Sequence, residues 1–161
     1  MRHWLICLAL LAPAPALAED LPGSSFAFGL WRGGAAPDST GVYSHCYATL
    51  SYTQGEQLWV NVTRDEKMEV VFAFPGVTFK PGQEMDASLM MESGSPTVGK
   101  AFAPDDRHIA FIMTPIDDTH VFLSQGRWLR IMGVGHDEAF DVTGLGGVLG
   151  LVRQCHDAHK A

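Results

Sequence analysis

His45 and Cys46 lie inside the run YSHCYATLSY (residues 43–52), and His156 and His159 follow Cys155 near the end of this 161-residue chain. Imidazole nitrogens are ligands that zinc and copper favour, and three of them with an open position make a workable metal site. A bridge between Cys46 and Cys155 would hold their α-carbons about 5.5 Å apart. His45 would then lie near His156 and His159. Two arguments oppose convergence. Side chains alternate across a strand, so His45 should point away from Cys46, and the last six residues of a chain tend to fray. Satisfied or solvated histidines are the better reading, and no metal or other cofactor is assigned.

Hydrolytic and nucleotide chemistry fare no better. The sequence contains no G-x-S-x-G elbow and no H-E-x-x-H. Ser44 and His45 are adjacent, and neighbours on a strand face opposite ways, so they are not expected to act as nucleophile and base. The glycine-rich GLGGVLG (residues 144–150) is followed by only eleven residues, too few for the second strand a dinucleotide fold requires. With no nameable nucleophile and base, a non-enzymatic protein is favoured over an enzyme. A small metal-binding protein or hydrolase using the His45/His156/His159 cluster is the competing class.

The positive feature is aromatic. Tyr43, His45 and Tyr47 fall on one face of their strand-like run, and Trp59 joins them if the next run pairs with it. Tyrosine and tryptophan beside small polar groups make a surface suited to binding protein or sugar. The opposing reading is that a second sheet or a helix covers this face and makes it core.

Positioning such a face requires strands, and the middle of the chain supplies them. Val42–Tyr52 and Glu56–Thr63 alternate cleanly, and a three-residue loop Thr53-Gln54-Gly55 pairs Leu50 with Leu58, Ala48 with Val60 and Cys46 with Val62. That register sets Trp59 across from Thr49 and Asn61 across from Tyr47. Further strands are read at Met68–Phe74, Met85–Met91, Val98–Phe102 and His108–Met113, with a type II turn at Lys80-Pro81-Gly82-Gln83. Thr114 as N-cap and Pro115 as first helical residue open a short helix near 115–125. A hairpin around Ser124-Gln125-Gly126 is its rival. Arg127–Met132 returns to strand. Leu145, Val148, Leu149, Val152 and Cys155 mark a C-terminal helix over Thr143–Cys155, whose glycines permit close packing. The expected fold is mainly β: a single-domain antiparallel sandwich with a C-terminal helix.

Residues 1–18, MRHWLICLALLAPAPALA, have a basic start, an apolar centre and an Ala-x-Ala end, which reads as a secretory signal peptide. The remaining chain, 19–161, forms the domain and carries no further apolar run of membrane-spanning length. The full sequence has a net charge of −7, without a Lys/Arg cluster, so nucleic acid and anionic lipid are poor partners. Export meets an oxidising compartment, and once Cys7 leaves with the signal peptide the two remaining cysteines allow one bridge, Cys46–Cys155. Closing a loop of roughly 100 residues is worth about 4.7 kcal/mol on a chain-entropy estimate.

The layout as a whole is Trp31 near the mature start, then Val42-Tyr43-Ser44-His45-Cys46. It closes with Phe140-Asp141-Val142-Thr143-Gly144, an apolar helix and Cys155. In this it resembles the small exported bacterial proteins of the invasion-associated locus B family. The resemblance implies a β-sandwich without known catalytic residues and an envelope or host-interaction role, and it carries over no site residues. The sequence thus leads to a periplasmic or secreted binding protein with an envelope or host protein, or a glycan, as partner. A periplasmic inhibitor or immunity protein is the alternative within that class.

Overall fold

The computed structural model describes residues 20–92 and 94–160; residues 1–18, read from the sequence as a signal peptide, lie outside them. Ten strands and two helices follow in chain order. The strands are β1 (Phe26–Phe28), β2 (Trp31–Pro37), β3 (Tyr43–Ser51), β4 (Gln57–Thr63), β5 (Met68–Ala73), β6 (Glu84–Met91), β7 (Thr97–Phe102), β8 (His108–Met113), β9 (Trp128–Gly133) and β10 (His136–Asp141). The helices are α1 (Ile116–Leu123) and α2 (Leu145–His159). All ten strands form one antiparallel sheet in the order β1-β2-β3-β4-β5-β8-β7-β6-β9-β10. The mainly β fold with a C-terminal helix is therefore present, but the sandwich is one sheet bent over itself rather than two separate sheets.

The bend is visible in the side chains. Phe140 of β10 packs against Tyr52, Phe72 and Phe74 from the other half of the sheet, at ring-centre distances of 5.1, 5.3 and 6.1 Å. Two hydrogen bonds tie the halves together: Trp31 Nε1 donates to the Thr143 carbonyl at 3.0 Å, and the Tyr52 hydroxyl to the Asp141 carbonyl at 3.1 Å. The inner faces enclose one apolar core, with Leu58, Val60, Phe72, Leu89, Leu129 and Ile131 almost fully buried. Burying aliphatic and aromatic side chains of this size stabilises by roughly 1.5–3 kcal/mol each before conformational entropy is subtracted.

Strands β3 and β4 pair in the expected register, Cys46 with Val62, Ala48 with Val60 and Leu50 with Leu58. Gly55 at φ 96° turns the loop, a conformation that costs glycine little because it has no Cβ. In the Lys80–Gln83 turn, Gly82 has φ 78° and the Gln83 amide donates to the Lys80 carbonyl at 2.9 Å. Helix α2 lays Leu145, Val148, Leu149, Val152 and Cys155 onto the inner side of β2, β3 and β4, and Cys155 is disulfide-bonded to Cys46. It starts two residues later than expected and runs four beyond Cys155. A Cβ at Gly147 would lie 2.5 Å from the Phe28 ring, so this glycine does permit the close packing expected of the helix.

Two local details differ from expectation. Helix α1 is capped by Pro115, extended at ψ 161°, rather than by Thr114. The first turn is closed instead by Thr119, whose hydroxyl donates to the Pro115 carbonyl at 2.9 Å. The second is a bulge in β3. Ala36 pairs with His45 while Pro37 pairs with Tyr43, so Ser44 is an extra residue. A bulge of this kind shifts the side-chain alternation by one, and it turns Tyr43 inward.

Candidate functional site

The helix covers the inner face of β2–β4, which leaves the outer face of β3, β4, β5 and β8 open. Cross-strand pairing arranges that face in rows. Gly34, Tyr47, Asn61 and Glu69 lie side by side across β2 to β5, and Thr49, Trp59, Val71 and Ala110 form the next row across β3 to β8. Val71 and Ala110 are buried, whereas His45, Tyr47, Thr49, Trp59 and Asn61 are half-buried. The segment at Asp20 rises on one side, and the β7–β8 connection with Pro104 and Asp105 on the other. Together they bound an open groove of about 820 Å³, within the usual size range of ligand sites.

Each polar group in the groove has a local reason for its position. Gly34 has no side chain, and a Cβ there would lie 2.5 Å from Asp20 Oδ2. The Asp20 carboxylate occupies that space, accepting hydrogen bonds from the Tyr47 hydroxyl at 2.9 Å and from Ser25 at 3.1 Å. Burial, reinforced by the Asp20 carboxylate, pushes the Tyr47 phenol up to about 12, so it remains a protonated donor at neutral pH. Asn61 Nδ2 reaches Glu69 Oε2 at 3.5 Å across the β4–β5 pair, and Asn61 Oδ1 is enclosed without a hydrogen-bond donor.

Across the groove, His108 Nδ1 lies 2.8 Å from Asp105 Oδ2, and its ring meets Trp59 edge-on at 5.2 Å. Burial pushes the Asp105 carboxyl up, but the Arg107 and His108 amides and the His108 ring outweigh it and leave it lowered. His45 packs 6.2 Å from Tyr47. Burial holds its imidazole below the ordinary histidine value, against the pull of Glu69 and Asp20.

Of the four residues expected on the aromatic face, His45, Tyr47 and Trp59 line this groove. Tyr43 does not. The bulge at Ser44 places it in the core, 7% exposed, with its hydroxyl 2.8 Å from His156 Nδ1. The three imidazoles considered as a metal site also separate. His45 is on the outer face, while His156 and His159 pack tilted against Tyr43 on the inner side, their ring centres 6.0 and 5.8 Å from that of Tyr43. Among the described residues, Cys46, Cys155 and His159 alone bring three ligand atoms close together, and both sulfurs are committed to the disulfide.

The bulge also corrects the reading of Ser44 and His45. Their side chains do meet, His45 Nδ1 lying 3.2 Å from Ser44 Oγ. Among the described residues no carboxylate hydrogen-bonds to His45 to orient it, so the contact lacks the third member of a catalytic triad.

Asp20, Glu69, Asp105 and His108 had no sequence signal as a group, because they come from three separate segments: the Asp20 segment, β5 and the β7–β8 connection with the first residue of β8. Glu69 alone was within reach of the strand pattern, as the residue facing Asn61 across β4 and β5. A second cavity of about 290 Å³ opens between β7, β8 and α1, lined by Val98, Ile112 and Phe122 among others. It forms because β7 and β8 pair only at Ala101–Phe111 and Phe102–Ala110 before diverging. Its lining also includes Lys100, Asp118 and Thr119, but it contains no tyrosine, tryptophan or histidine.

Among the described residues no helix is long and apolar enough to cross a membrane. No protein-family model matches the chain, and no curated protein matches its sequence. The fold is similar to the crystal structure of invasion associated protein B from Bartonella henselae, with a TM-score of 0.56 and 12% identity over 83% of this chain and 97% of that one.

Proposed function

We propose that the chain is an exported, non-enzymatic binding protein of the bacterial envelope or secreted fraction, and that it engages its partner through the outer groove of β3, β4, β5 and β8. The observation that carries this reading is the open face itself: Tyr47, Trp59 and His45 stand half-buried beside carboxylates on a rigid sheet. Tyrosine and tryptophan held on a strand lose little conformational entropy on binding and supply large contact area. The disulfide fits an oxidising compartment, and the neighbouring fold belongs to a protein named for invasion. That name supports an envelope or host-facing role for this chain by analogy of fold.

Hydroxyl-radical footprinting of the protein with and without envelope or host-surface fractions tests the reading. Modification of Trp59 and Tyr47 is expected to fall when the partner fraction is added, while Trp128, 40% exposed on β9, is unchanged. Protection at Trp128 or α1 with none in the groove would overturn it.

A further inference from the structure

Resting on that reading, we infer that the groove receives a basic peptide segment of a protein partner, with an arginine or lysine side chain laid over Trp59 among the carboxylates of Asp20, Glu69 and Asp105. Charge complementarity carries the inference. The lining holds three carboxylates and no lysine or arginine. The chain's cations are engaged away from it: Lys67, Lys100, Arg127, Arg130, Arg153 and Lys160 each make an ion pair outside the groove. Among the described residues, neither Asp20 nor Glu69 has such a partner. Their neighbours are the neutral donors Tyr47, Ser25 and Asn61, so their negative charge is uncompensated at the site.

The shape of the lining distinguishes a basic side chain from a metal ion. A cation such as calcium needs several oxygens converging on one point, and among the described residues these three carboxylates form no such group. They are spread around the floor of Trp59, Val71 and Ala110, which suits the long aliphatic stem of arginine or lysine with its charged head at the rim. An aromatic ring beside such a head adds a cation–π attraction. Long-range attraction between the acidic groove and a basic segment also speeds encounter.

Isothermal titration calorimetry of the exported chain tests this with three probes: a blocked hexapeptide alternating glycine and arginine, the same peptide with glutamate for arginine, and a neutral oligosaccharide. The arginine peptide is expected to bind and the glutamate peptide to show no heat. Glu69→Gln and Trp59→Ala are each expected to weaken the arginine peptide by about tenfold. Raising salt should weaken it in the unmodified protein, which requires no variant to fold. Equal binding of the two peptides, or an arginine-peptide affinity unchanged by Glu69→Gln, would overturn the inference. If the oligosaccharide binds instead, and depends on Trp59 but not on Glu69, the charge assignment fails while the groove remains the binding site. If none of the probes binds and partner fractions leave Trp59 unprotected, both fail.

Discussion

Tyr47 shows how one side chain reports on the site. Its phenol is held up to about 12 by burial first and by the Asp20 hydrogen bond second. A carboxylate that accepts from the phenol stabilises its protonated form, so removing that charge should lower the value toward the ordinary tyrosine range. Burial remains, so the fall should be partial. Asp20→Asn is expected to produce it, and so is Gly34→Ala, whose added Cβ would meet Asp20 Oδ2 at 2.5 Å and displace the carboxylate. Following the Tyr47 Cζ resonance through an alkaline titration separates it from Tyr43 and Tyr52. An unchanged titration in both variants would mean that Asp20 does not contact the phenol in solution.

At the scale of elements, the disulfide is the strongest single constraint. It joins β3 to α2 across 109 residues of sequence, and a loop of that length is worth about 4.7 kcal/mol on the chain-entropy estimate. Cys46→Ala with Cys155→Ala is expected to lower the urea midpoint by a large fraction of the total stability. An unchanged midpoint would show that core packing alone fixes α2 against β3. The elements differ in how readable they are. Strands β3 and β4 alternate apolar and polar residues, so pairing, register and the positions of Tyr47 and Trp59 follow directly from the pattern. Strand β2 does not alternate: Gly33, Gly34, Ala35 and Ala36 carry almost no side chain. They are small because other groups fill the space, and a Cβ at Gly33 would lie 2.2 Å from the Tyr47 carbonyl oxygen. Strand β10 is missed for the opposite reason, since the charges in His136–Asp141 hide the buried Phe140. Tyr43 is misassigned because one extra residue at Ser44 inverts the pleat, and no periodicity reveals a bulge.

At the scale of the whole molecule, folding one ten-stranded sheet over its own core and plugging it with α2 leaves the two faces of β3–β5 with different tasks. The inner face holds Cys46, Leu58, Val60 and Phe72 and stabilises the fold. The outer face is free to present His45, Tyr47 and Trp59, with carboxylates added from the Asp20 segment, β5 and the β7–β8 connection. This division explains why the sheet alternation locates the aromatic part of the site and not its acidic rim. The rim exists only after distant segments fold up beside the strands. The most direct measurement is site-specific photo-cross-linking in native cells, with a benzophenone side chain at Thr49 on the groove floor or at Val121, 63% exposed on α1. Recognition through the groove requires adducts from position 49 that are lost on Trp59→Ala. Adducts from position 121 alone, or none from position 49, would contradict it.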